Sequence, residues 1–439
     1  MHYAVGSFLL LTAYCLLLTS HAFAEDLRLQ ELIDEAVKNN HDLMVLEAKT
    51  ETSKYRIPQA KSLPDPMFMF GYQNEGWRRY TYGEMEGAQW MFSASQMFPF
   101  PGKLSLKGEM ATRDSESLSA MYGSAKLGII AKVKELYYDL FLTYKSIDLI
   151  KENTLLFSRV EDAVLARYST GMAPQQEVIM AQTEKYMLLE KEEMLRQKRQ
   201  SIEAMLNTTI GRHVNSPVGR PVEPVSTSYS TSMDEALKAT HENSPEIKSK
   251  EKMISAAEAK VMMAKREYYP DFTLAASLFK RSREFEDMWS LTTTINIPLF
   301  YGTKQKMAVL EAESARSEAI HELEATKFMI ASNLRDNYSM FQTAGRLMDL
   351  YKNGLMPKAY QDFESALSGY KTGKVEAITV ITRLKSIVDY EISYWNQFVE
   401  REKAIARIEA ITGNNLLSRH SRESGNPDKA KSLDSASLD

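Results

Sequence analysis

Tyr168-Ser169-Thr170-Gly171 and Tyr370-Lys371-Thr372-Gly373 are one turn written twice, 202 positions apart. Each lies between two long stretches of charged residues and heptad-spaced apolar ones. The same offset links Gly211 to Gly413, which close the stretches that follow the turns. A period of this size means two copies of a whole supersecondary module, not a short-repeat solenoid.

Ahead of the first turn, Ile130, Val133, Tyr137, Leu140, Tyr144 and Ile147 step by three and four, and no proline occurs between about Leu104 and Arg167. That is a coiled-coil seam, on a helix of the order of 95 Å at 1.5 Å per residue. Past Gly171 the seam resumes at Ala181, Leu188, Leu195 and Ile202. A glycine at this place suits a helix end that needs positive φ, so the two helices fold back as an antiparallel hairpin with the turn at its tip. Sevenfold spacing predicts left-handed supercoiling. The second copy repeats this with helices expected from about Lys304 to Ala366 and from Val375 to Ile411. There Ile381, Leu384, Val388, Glu391, Trp395 and Phe398 form the seam.

Further out, Leu29 to about Ala60 reads as one amphipathic helix on Leu29, Leu32, Ile33, Ala36 and Val37. It is stopped by Leu63-Pro64-Asp65-Pro66, since proline cannot continue a helix. The period then drops to two. Met67 to Tyr72 and Trp90 to Ser95 predict a strand hairpin that exits through Phe98-Pro99-Phe100-Pro101-Gly102-Lys103. The second copy has a helix over Ser232 to Ala264, where Asp234-Glu235-Ala236 echoes Asp34-Glu35-Ala36. Strands at about Asp271 to Phe279 and Trp289 to Ile297 follow, then the exit Ile297-Pro298-Leu299-Phe300-Tyr301-Gly302. The expected organisation is a signal peptide over 1–24, a first repeat over 25–211, a Pro-rich linker over 212–232, a second repeat over 233–413 and a disordered tail over 414–439. The leader rests on the apolar run from Phe8 to Leu18 before Ala22-Phe23-Ala24.

The fold class is mixed and mainly α, with duplicated helical hairpins and four strands of membrane-crossing length. Open sheet edges are not viable in lipid and bacterial barrels have at least about eight strands, so the chain must oligomerise. A lumen wide enough for cargo favours three copies and a twelve-stranded barrel.

Composition narrows the function. The net charge is −4, so no basic surface for nucleic acid stands out. Cys15 is the only cysteine and lies within the expected leader, leaving no disulfide or thiol chemistry in the mature chain. His321-Glu322-Leu323-Glu324-Ala325 has alanine where a zinc-protease helix needs its second histidine. No catalytic constellation and no cofactor are expected. The 24 methionines read first as gap-fillers, with soft-metal ligation as the sharper alternative.

From Leu29 to Gly413 the sequence resembles the TolC-like outer-membrane efflux proteins. The resemblance rests on the duplicated plan, the paired Tyr-x-x-Gly tips and Ile297-Pro298-Leu299-Phe300-x-Gly302. It implies a homotrimer in outer-membrane lipid, with a twelve-stranded β-barrel on a periplasmic α-helical tunnel, docked through its tips to a periplasmic adaptor and an inner-membrane pump. Phe98-Pro99-Phe100-Pro101-Gly102-Lys103-Leu104 with Gln175-Gln176-Glu177-Val178 looks most like the heavy-metal branch, the cobalt-zinc-cadmium and copper-silver exporters. Carried onto this chain, the adaptor-docking positions are Tyr168, Gly171, Tyr370 and Gly373, and the periplasmic constriction is Glu177, Thr379 and Thr382. The reading is a passive duct for heavy-metal cations. Export of proteins or drugs, or a soluble periplasmic coiled-coil protein, are the alternatives.

Overall fold

The structure, a computed structural model, describes residues 26–413. The expected signal peptide and polar tail lie outside the described residues.

Helices α1 (Leu29–Asn39) and α2 (His41–Lys61) replace the single expected helix. The cause is Asn40, whose Oδ1 accepts from Leu43 N at 3.0 Å while its Nδ2 donates to Thr209 O at 2.8 Å. An asparagine that caps a new helix while holding a carbonyl 169 residues away cannot also stay in a straight one. Strands β1 (Met67–Gln73) and β2 (Gln89–Phe98) follow, then α3, unbroken from Lys103 to Ser169, and α4 (Gln175–Thr209). The second copy gives α5 (Met233–Asn243) and α6 (Pro245–Arg266), parted where Pro245 takes the first turn of a new helix. After β3 (Asp271–Lys280) and β4 (Met288–Asn296) comes α7 (Gln305–Asp349). A π-helical segment, Leu350–Leu355, separates it from α8 (Met356–Lys371), and α9 (Ala377–Thr412) closes the chain. The expected helix over Lys304 to Ala366 is thus interrupted. Pro357 has no N–H to donate and its ring crowds the carbonyl four residues back, at Asn353; a widened turn relieves both.

The described residues fall into two compact units. One comprises 26–44, Ala125–Asn243 and 330–413; the other comprises Val45–Ser124 and Ser244–Met329. In the first, α1, α3, α4 and α9 share a core around Leu32, Val133, Leu140, Leu206 and Val399. The residues of the predicted seam are buried or half-buried throughout. Charge is buried here too, where Lys134 pairs with Glu409, and a half-buried Lys403 reaches Asp139 at 3.0 Å. Glu402, 2% exposed, accepts from Thr227 N at 3.1 Å and from Arg401. Burial raises its carboxyl pKa above the ordinary range.

The second unit carries a four-stranded antiparallel sheet in the order β1-β2-β3-β4. Its register sets Phe68 against Ala94, Phe92 against Leu278 and Leu278 against Trp289, so these share a face with Phe70 and Leu291. Ser93, Ser277, Ser290 and Thr292 take the other face, where Ser277 Oγ donates to Ser93 Oγ at 2.8 Å. The apolar face is uncovered within the chain, Phe68 and Trp289 being largely exposed. Among the described residues no helix is long and apolar enough to cross a membrane.

Candidate functional site: the two hairpin tips

Both tips are built by one backbone device. Gly171 and Gly373 have φ of +74° and +76°. Met172 N donates to Arg167 O at 2.8 Å and Gly171 N to Tyr168 O at 2.9 Å. The second tip repeats this with Lys374 N to Gly369 O and Gly373 N to Tyr370 O, at 2.9 and 3.0 Å. These paired bonds satisfy carbonyls that a helix end would otherwise leave open, and they require a left-handed residue.

The side chains break the likeness. Tyr168 is 44% exposed, whereas Tyr370 is 1% exposed and belongs to a core with Phe157, Val164, Val178, Phe363 and Ile381, which joins both hairpins. The Tyr370 hydroxyl donates to Glu177 Oε2 at 2.9 Å. Arg167 donates through Nη1 to Tyr370 O at 2.6 Å and through Nη2 to Met172 O at 3.1 Å, and its guanidinium lies 4.6 Å from the centroid of the Tyr370 ring. One cation therefore ties the first turn to the second and covers the aromatic face between them. Burial, then the hydrogen bond to Glu177, push the Tyr370 hydroxyl up to about 12, so it is a donor at any physiological pH. Deeper in, Lys385 holds Glu184 at 2.9 Å, an ion pair between the hairpins.

Of the residues singled out in the sequence, Tyr370 and Glu177 meet each other, and Gly171 and Gly373 sit at their turns. Thr379 is half-buried, and Thr382 is exposed with its hydroxyl donating to Ile378 O at 2.7 Å in its own helix. Tyr370 offers no side-chain surface to a partner in this arrangement; Tyr168, Met172, Ile179 and Ile378 do. Arg167 escaped the sequence reading. Its signal is the repeat itself, since 202 positions later stands Gly369, which cannot make the same contacts. Among the described residues no group of three or more His, Cys, Asp or Glu could hold a metal ion.

A family profile described as "Outer membrane efflux protein" matches residues 32–212 and 236–414. The chain is similar to the cobalt-zinc-cadmium resistance protein CzcC of Cupriavidus metallidurans, 20% identical over 399 residues that cover 89% of this chain and 91% of the other. It is also similar to SilC of Salmonella typhimurium, described as a probable outer membrane lipoprotein, 20% identical over 381 residues, with 83% and 81% covered. Among solved structures the outer-membrane channel OprN superposes with a TM-score of 0.77 at 14% identity, covering 88% of this chain and 90% of that one.

Proposed function

Because this chain belongs to the outer membrane efflux protein family and resides in the outer membrane, we propose that it is the passive exit duct of a tripartite efflux system, conducting heavy-metal cations. The observation that carries the duct is the sheet. Four strands with an uncovered apolar face leave β1 and β4 with unpaired edges, and lipid does not tolerate unpaired backbone polar groups. Pairing β4 of one copy with β1 of the next resolves this, and three copies give twelve strands around a lumen faced by Ser93, Ser277, Ser290 and Thr292. Lipid then meets the aromatic face.

The tips are the working end of this duct. Tyr168 and the apolar residues beside Gly171 and Gly373 supply the surface an adaptor grips, and an inner-membrane pump delivers cargo behind it. Glu177, Thr379 and Thr382 form the constriction. Glu177 is held by Tyr370, so widening the mouth exchanges that bond for one to water or to the adaptor. The heavy-metal cargo rests on the likeness to CzcC, a cobalt-zinc-cadmium resistance protein. The domain reading is retained with it: leader 1–24, repeats 25–211 and 233–413 about the linker 212–232, and tail 414–439.

The test has two arms. An unboiled denaturing gel of the outer-membrane fraction should show a trimer band; a soluble monomer would sink the duct. Deleting the gene should sensitise cells to zinc, cadmium, copper or silver, and a secretion defect without metal sensitivity would turn the cargo to proteins.

A further inference from the structure

The strands contain five methionines, Met67, Met69, Met91, Met97 and Met288, and the register puts all five on one face. It is the face of Ser93, Ser277, Ser290 and Thr292. The branched aliphatic residues of the strands, Leu274, Leu278, Leu291 and Ile295, all take the opposite face, which has no methionine. Were apolar bulk all that the hydroxyl face needed, isoleucine or valine would suit a strand better. Thioether is thus segregated from hydrocarbon within one sheet.

The placement is also periodic. Taken from the helix end of the strands, successive cross-strand rows on this face hold Met97 with Thr273, then Met67 with Ser95, then Met69 with Ser93. The fourth holds Met91 and Met288 on either side of Phe279. Each row therefore carries a sulfur, in steps of about 7 Å and over about 20 Å in all at the rise of a strand. Met67 and Met69 are 64% and 56% exposed, so they fill no gap in a core. Met91 reaches across to β1 over its partner Gly71, where a Cβ would stand 3.3 Å from Met91 Cε. Its thioether end thus lies over the strand that carries Met69 two residues earlier. These rows contain no His, Cys, Asp or Glu, the usual ligands of zinc, whereas neutral thioethers suit a soft monovalent ion. Several weak sites in series are what conduction needs, because an ion must leave each one as readily as it enters.

We propose that this face is a ladder of thioether sites for copper(I) or silver(I), along which the ion steps from sulfur to sulfur through the barrel. The inference rests on the duct reading, since it needs the hydroxyl face to be the lumen, and it narrows the cargo from heavy-metal cations to soft monovalent ones.

Methyl NMR of the purified full-length protein in detergent, isotope-labelled at the methionine methyls and titrated with silver nitrate, tests it. The five strand methyls, assigned by single methionine-to-leucine variants, should shift at silver concentrations about tenfold below those that move Met194 or Met262, because neighbouring thioethers share an ion. Those two are exposed methionines on helices. Met69→Leu should raise the midpoints of Met67 and Met91 and leave the helical ones where they are. Zinc sulfate should move none of the strand methyls. Strand methyls that respond no more readily than Met194, or that titrate without regard to Met69, overturn the proposal and leave adventitious thioether binding only. A trimer band without the silver response removes the ladder and keeps the duct; a soluble monomer removes both.

Discussion

The two repeats share a backbone and differ in what they bury. Gly171 and Gly373 close the same turn, and Gly211 and Gly413 end the following helices with φ of +82° and +73°. A Cβ on Gly211 would lie 2.4 Å from Asn39 O, and one on Gly413 would lie 2.9 Å from Asn243 O. Yet at matching positions Tyr168 is outside and Tyr370 inside, and Asn207 is buried where Glu409 is buried with Lys134. The first repeat carries its tip on one continuous helix; the second carries it beyond a π-helical interruption. Duplication kept the geometry that glycine and hydrogen bonds enforce. At these positions the halves diverged in which side chain is covered, whereas Val178 and Val380, also 202 apart, are both valine and both buried.

The sharpest way to break the comparison is at the buried charges. Glu409→Ala leaves the Lys134 ammonium buried and unpaired, with an expected loss of about 3–5 kcal/mol in denaturant unfolding of the purified protein. At the matching position Asn207→Ala should cost about 1–3 kcal/mol, the loss of hydrogen bonds from a buried amide; equal losses would mean that the ion pair is not what distinguishes the halves. Next come the tip tyrosines. Tyr370→Ala should cost about 3–5 kcal/mol as a buried aromatic truncation, while Tyr168→Ala should stay within about 0.5 kcal/mol. Comparable thermal shifts for the two would refute the asymmetry.

The glycines test the opposite claim. Gly171→Ala and Gly373→Ala should each cost about 1–2 kcal/mol for a left-handed backbone, and should match, because neither turn offers a different backbone. The smallest effect concerns pH. Burial raises the Glu402 carboxyl, so the folded state binds its proton more tightly than the unfolded chain does. Its contribution is then fully present below about 4.5 and is lost as pH rises through the raised value. Relative to Glu402→Gln, the wild type should gain stability on acidification from neutral pH toward 4.5; a difference that is flat with pH would show that Arg401 and Thr227 offset the burial.

Periodicity and punctuation carried most of the fold. The Val133–Leu140–Ile147 seam, both strand pairs and both tips were legible because spacing and glycine placement are local properties of a chain. The break at Asn40 was not, since an apolar stripe runs straight past it and its reason lies at Thr209, far along the chain; the break at Ser244 was written in the proline that follows it. The π segment could have been suspected from Pro357. At the tips the sequence pointed to Tyr370 and Glu177 but not to their bond, and it passed over Arg167.

By itself, then, the sequence determined a duplicated set of helical hairpins with membrane-length strands, because hydrophobic period and backbone conformation are written residue by residue. Tertiary structure alone decided which tyrosine is buried, which charges are paired and which amide oxygens are left without a donor. Each of those depends on an atom supplied by a distant part of the chain, and whether such a group costs or stabilises is fixed only by what lies within about 3 Å of it.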